Sequence, residues 1–208
     1  MKLHRIQAST DWQNLPNSDL NFFQKIADKT NGILTPGNII TTVGLGLVIN
    51  GCQDLEQNPN KALIKISAGR LADYFDGIIA DKTQTKSQIG EAADVVADKI
   101  ATLAILKSTN DHKILSSRFL SFLIIQNSVN SFIGLQAKLS HQELHSSKYG
   151  KIATALQTAV FITSIAGFVI EKNHPFDQRK KSNIQKSLNY PTIAMSVVAT
   201  YDYLNGQV

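Results

Sequence analysis

At 208 residues with one cysteine, Cys52, the chain has room for one domain or one compact bundle of membrane helices. Neither an intrachain disulfide nor a zinc site built on several thiolates is open to it. A net charge of +5 suits an anionic partner, and the lysines are scattered rather than clustered with aromatics, so a bilayer is the expected partner and nucleic acid is not. Charged residues are 18% and mean hydropathy is near zero, so a membrane assignment must come from how residues are distributed along the chain.

The first 30 residues carry Asp11, Asp19, Lys25, Asp28 and Lys29 and lack an apolar core, so no cleaved secretory signal is expected. Leu20, Phe23, Ile26 and Ala27 recur at helical spacing opposite Gln24, Lys25 and Asp28, with Ser18 as the expected N-cap. This predicts a short amphipathic helix on the membrane surface within an N-terminal segment, residues 1–31. A helix packed on a soluble core fits that segment equally well.

Residues 30–53 contain no charge, with Pro36 and Gly37 near the start, and approach the roughly 20 apolar residues a spanning helix needs. Residues 119–137 and 152–170 are also uncharged, and residues 187–201 form a shorter, weaker stretch. Between the first two lie apolar segments at 62–80 and 90–106 that carry Lys65, Arg70, Asp73 and Asp76, then Glu91, Asp94, Asp98 and Lys99. Each charge inside a membrane helix costs about 2.5–3.5 kcal/mol on insertion scales, so such a cluster reads as a site facing a polar cavity. The predicted fold is all-α: an integral membrane six-helix bundle over residues 32–208, preceded by the amphipathic interfacial helix. A cytoplasmic N-terminus places Lys82, Lys86, Lys138, Lys148 and Lys151 inside, as basic loops prefer. It also leaves Lys172, Arg179, Lys180, Lys181 and Lys186 outside, against that preference.

Asp73, Asp76, Gly77 and Ala80 share one helix face, and Gly90, Asp94 and Asp98 share a face of the next. The short connection makes the two helices antiparallel neighbours, so four carboxylates converge. Their mutual repulsion calls for hard cations with oxygen ligands, Mg²⁺ or Mn²⁺, two of which suit phosphoryl chemistry. Small residues on these faces leave room for a ligand.

The run Asp73-Tyr-Phe-Asp76-Gly77-Ile-Ile-Ala80, followed by Gly90, Asp94 and Asp98, resembles the CDP-alcohol phosphotransferase signature D-x-x-D-G-x-x-A-R, eight residues, G-x-x-x-D-x-x-x-D. Every fixed position but one is met. The departure is Asp81, where the family has arginine, and Lys82 is the nearest cation that could replace it. The resemblance implies metal ligation by Asp73, Asp76 and Asp94 with Asp98 completing the site, and Asp98 as the general base that deprotonates the acceptor hydroxyl. It also implies a cytidine pocket shaped by Gly77, Ala80 and Gly90. Asn38 resembles an asparagine often found in the family's first span and is expected to face the donor, although a helix–helix hydrogen bond suits it equally.

Asp94-Val-Val-Ala-Asp98-Lys99 is similar to the D-P-V-A-D-K of the phosphatidylglycerophosphate synthase branch, with Val95 for proline. Ser147-Lys-Tyr-Gly150-Lys151-Ile-Ala-Thr154-Ala-Leu-Gln157 is similar to its S-x-x-G-K-x-K-T-x-x-Q, with Ala153 for lysine. Lys151 and Arg118 are then the expected acceptor-phosphate ligands, Lys151 also reading as a snorkelling interfacial lysine. Where the branch has a second arginine, this chain has Gln126.

The implied reaction moves a phosphatidyl group from a CDP-linked lipid donor to a small alcohol, first glycerol-3-phosphate, releasing CMP. The resemblance implies a cell (inner) membrane protein with a cytoplasm-facing site, and a homodimer. Other acceptors, as in a cardiolipin-synthase-like reaction, and a silent scaffold of the same fold are the alternatives. His141 and His145 are read as solvated loop residues, and Gly44-Leu-Gly46 as close helix packing rather than a phosphate loop.

Overall fold

Each apolar segment read from the sequence forms a helix in the computed structural model, which describes residues 16, 18–139, 148–173 and 178–204. His141, His145 and Ser147 lie outside the described residues. Among those described there are seven helices and no strand. They are α1 (Phe22–Lys29), α2 (Pro36–Asp54), α3 (Pro59–Thr83), α4 (Gln88–Asp111), α5 (Ser117–Leu139), α6 (Lys148–Asn173) and α7 (Gln178–Leu204). One helix among the described residues, α6, is long and apolar enough to cross a membrane by length and composition alone. The chain divides into two compact units, Met1–Ile105 and Leu106–Val208.

In the first unit, α1 differs from its expected form. Its cap is Asn21, not Ser18: Gln24 N–H donates to Asn21 Oδ1 and Asn21 N–H to Gln24 Oε1, both at 2.9 Å, a reciprocal capping box. The buried side is Leu20, Gln24 and Ala27, while Phe22 and Phe23 are exposed. Gln24 turns inward because its Nε2 also donates to the Gln84 carbonyl at 3.1 Å, and Asn21 Nδ2 reaches Thr83 O at 3.3 Å. So α1 is fastened to the end of α3 by polar contacts rather than by its aromatic residues.

Thr35 caps α2 by accepting from Asn38 N–H, and Pro36 occupies the first turn, where its missing donor costs nothing. The buried stripe of α2 is Gly37, Thr41, Gly44, Val48 and Gly51, packed along α3. The helices approach so closely that a Cβ on Gly69 would lie 2.5 Å from Gly44 O, and one on Gly44 2.9 Å from Ala72 Cβ. Gly44 therefore serves helix packing, as expected. Lys65 on α3 pairs with Asp54 at 2.5 Å and with Asn50, tying the far end of the seam.

Both acid-bearing helices run past their apolar segments, leaving only residues 84–87 as the link between α3 and α4. Gln84 takes a left-handed conformation (φ 54°) that closes α3, and Thr85 N–H returns to Ala80 O at 3.0 Å. Ser87 opens α4, its Oγ accepting from Gly90 N–H at 3.0 Å while donating to Gly32 O at 2.9 Å.

In the second unit, α7 packs against α6 and α5 around Phe119, Leu123, Val160, Phe161, Ile165 and Ala199. The polar residues that make these helices wet are mostly satisfied locally. Asn127 Nδ2 donates to Leu123 O at 2.8 Å, Thr163 Oγ1 to Ala159 O at 2.7 Å, and Thr200 Oγ1 bridges helices to Asn130 Oδ1 at 3.0 Å. Side chains that return hydrogen bonds to their own helix cost little in apolar surroundings.

Candidate active site

The close α2–α3 seam sets the acids of α3 beside the small residues of α2, and the short 84–87 link returns α4 past them. Asp73, Asp76 and Asp94 each offer a carboxylate oxygen, and these atoms lie within 4.8 Å of one another. Asp76 is buried; Asp73, Asp94 and Asp98 are half-buried.

Asp76 is held hardest. Thr41 Oγ1 donates to its Oδ2 at 2.6 Å, and Gly77 N–H donates to its Oδ1 at 2.5 Å. A buried carboxylate persists where donors replace the water it has lost. The donor set of the three acids is all oxygen, anionic and convergent, which fits a hard divalent cation rather than a thiophilic one.

Asp98 stands apart from that trio. Its Oδ1 accepts from Arg70 Nη1 at 2.9 Å, and Arg70, itself buried, also stands 3.7 Å from Asp73 Oδ2. Sequence reading registers Arg70 only as a charge within an apolar helix. Its bond to a residue 28 positions later is a tertiary fact that local spacing does not carry.

An open cleft adjoins these acids, and Asp76, Gly77, Ala80, Gly90, Asp94 and Asn38 all line it. Gly77 faces open space, with nothing within 4 Å of where a Cβ would be, so a side chain there would project into the cleft unopposed. Gly90 is small for another reason: a Cβ would meet Asn38 Oδ1 at 2.6 Å. Asn38 spends its amide on Gly32 O and Ile33 O at 3.1 and 2.8 Å, so it fixes the entry to α2 while lining the cleft.

Lys82 is exposed in the last turn of α3 and does not line the cleft. Lys86 does, and its Nζ pairs with Asp81 Oδ1 at 2.7 Å. Arg118 at the start of α5 and Lys151 in the first turn of α6 are exposed residues of the second unit. Gln126 lines an apolar groove of that unit with Phe122, Val129, Ser196 and Val197.

The model of one protein family, described as CDP-alcohol phosphatidyltransferase, matches residues 33–201. No curated protein and no solved structure matches the chain at a significant level.

Proposed function

This chain belongs to the CDP-alcohol phosphatidyltransferase family and is an enzyme that transfers substituted phosphate groups; from that premise we propose that it moves a phosphatidyl group from CDP-diacylglycerol to glycerol-3-phosphate and releases CMP. The observation that carries the reading is the meeting of the Asp73, Asp76 and Asp94 carboxylates beside an open cleft.

Asp73, Asp76 and Asp94 are the residues that would hold divalent cations, whose chemistry is to neutralise a diphosphate and the charge developing on it. Thr41 and the Gly77 amide keep Asp76 aimed. Gly77, Ala80 and Gly90 give the nucleotide end of the donor a wall of small residues, and Asn38 holds that wall's edge.

Asp98 acts as the general base. Its Oδ1 is occupied by Arg70, which leaves Oδ2 to take the proton of the acceptor hydroxyl. The acceptor oxygen then bonds to the phosphorus that carries the lipid, the bond from that phosphorus to the CMP oxygen breaks, and CMP departs. Arg118 and Lys151 are assigned to the acceptor phosphate through the branch motifs.

A second acceptor class has its own support. Gln126 stands where the phosphatidylglycerophosphate synthase branch has a second arginine, which suits a less charged acceptor such as phosphatidylglycerol. The proposed setting is a six-helix integral membrane bundle in the cell membrane, homodimeric, with the cleft facing the cytoplasm. Exposed Ile39 and Val43 on α2, Leu71 and Phe75 on α3, and Ile125 and Phe132 on α5 support lipid or a second copy as their neighbour.

The test is product identification. Purified protein is given CDP-diacylglycerol, Mn²⁺ and either glycerol-3-phosphate or phosphatidylglycerol. Phosphatidylglycerophosphate as the product supports the first acceptor, cardiolipin supports the second, and no lipid product from either contradicts both.

A further inference from the structure

Of the described residues lining the cleft, Asp76, Glu91 and Asp94 are acidic and Lys86 is the one cation. Lys86 sits on a fixed loop. Its neighbours Thr85 and Ser87 are buried, Gln84 and Thr83 carbonyls are held by Gln24 and Asn21 of α1, and Ser87 Oγ is bonded to Gly32 O. A lysine carried by so constrained a backbone is aimed, although its own stem is flexible. Its ion-pair partner Asp81 points largely into solvent, with 62% of its side chain exposed against 31% for Lys86.

An exposed ion pair of this kind contributes little stability and is readily exchanged. An ammonium offers three donors and no acceptor, and its strongest partner in a nucleotide is a phosphate oxygen. We infer that Lys86, the cation among the cleft's acids, grips the diphosphate of the CDP-linked donor, and that Asp81 holds the lysine in the empty cleft and yields it when donor binds. The inference rests on the donor proposed above and adds to it a residue that takes the phosphate and a residue that competes for it. It also gives α1 a task in the site, because Asn21 and Gln24 secure the loop that presents Lys86.

Competition separates this role from a structural one by sign. If the pair merely tied the loop to α3, removing either partner would have the same effect. If Asp81 competes with the diphosphate, Asp81→Asn tightens donor binding while Lys86→Gln weakens it.

The experiment measures calorimetric Kd values of the detergent-purified full chain for CDP and for cytidine, each with Mg²⁺. Lys86→Gln is expected to raise the CDP Kd about tenfold and leave the cytidine Kd unchanged, and Lys86→Arg to stay near wild type. Asp81→Asn is expected to lower the CDP Kd about two- to threefold, an effect absent in the Lys86→Gln background. Wild-type CDP binding that Lys86→Gln leaves intact overturns the lysine's role while sparing the donor. Equal weakening by both single variants makes the pair structural and overturns the exchange. Failure of the wild-type chain to bind CDP at all overturns the donor reading, and this inference with it.

Discussion

Arg70 Nη1 lies 2.9 Å from Asp98 Oδ1 and 3.7 Å from Asp73 Oδ2, so one buried guanidinium stands between the proposed base on α4 and a proposed metal ligand on α3. Held by burial and bonded to Asp98 through that nitrogen, the guanidinium orients the carboxylate while balancing the acids around it.

Replacing Arg70 with methionine is therefore expected to lower kcat on the order of a hundredfold with a much smaller change in donor KM, because it misplaces the base without touching the nucleotide wall. Arg70→Lys keeps the charge but loses the planar guanidinium, and should fall between wild type and the methionine variant. Steady-state kinetics of CMP release check both; a loss confined to KM would count against a positioning role.

Two glycines on α3 should respond oppositely to the same methyl group. A Cβ on Gly69 meets Gly44 O at 2.5 Å, and helices pressed together by backbone cannot yield as a flexible side chain can. Gly69→Ala should destabilise by about 1–3 kcal/mol, read as a lowered Tm in detergent. Gly77→Ala meets nothing, so its Tm should match wild type while its donor KM rises. An unchanged donor KM would mean that the donor does not pass that face.

Much of this arrangement was legible beforehand, and what was missed shares a cause. The acids of α3 and α4 were readable because their spacing is local to each helix, and the six long helices because apolar runs mark them. For α1 the differences are the cap, Asn21 instead of Ser18, and Gln24, which the pattern sets on the polar face but which is buried, where it completes a capping box and bonds to Gln84. Asn21 and Gln24 carry the spacing of such a box, so the correct cap was in the sequence beside the chosen Ser18. Arg70 and Lys86 were visible only as charges. Their partners depend on how helices and loop meet, which no periodicity records.

Thr41 offers a test of metal holding from outside the acids. Its hydroxyl is 2.6 Å from Asp76 Oδ2. Thr41→Val keeps the volume and deletes the donor, which should weaken Mn²⁺ binding about 10–100-fold, as lost outer partners of ligating carboxylates commonly do. Titration with Mn²⁺ followed by electron paramagnetic resonance reads this directly. An unchanged affinity would mean that Asp76 needs no help from α2.

Membrane residence has its own check. With α6 holding an apolar stretch long enough to span and large apolar side chains exposed on α2, α3 and α5, the protein should stay in the pellet after an alkaline carbonate wash and leave it only with detergent. Release by carbonate alone would contradict the bundle.

The most direct test of the central claim is CMP release from CDP-diacylglycerol by purified protein with glycerol-3-phosphate, measured with Mn²⁺, with chelator, and for Asp94→Asn and Asp98→Asn. The account predicts release that needs both metal and acceptor, is abolished by chelator, and falls by at least about a hundredfold in each folded variant. Release that persists in chelator or in Asp98→Asn would contradict it.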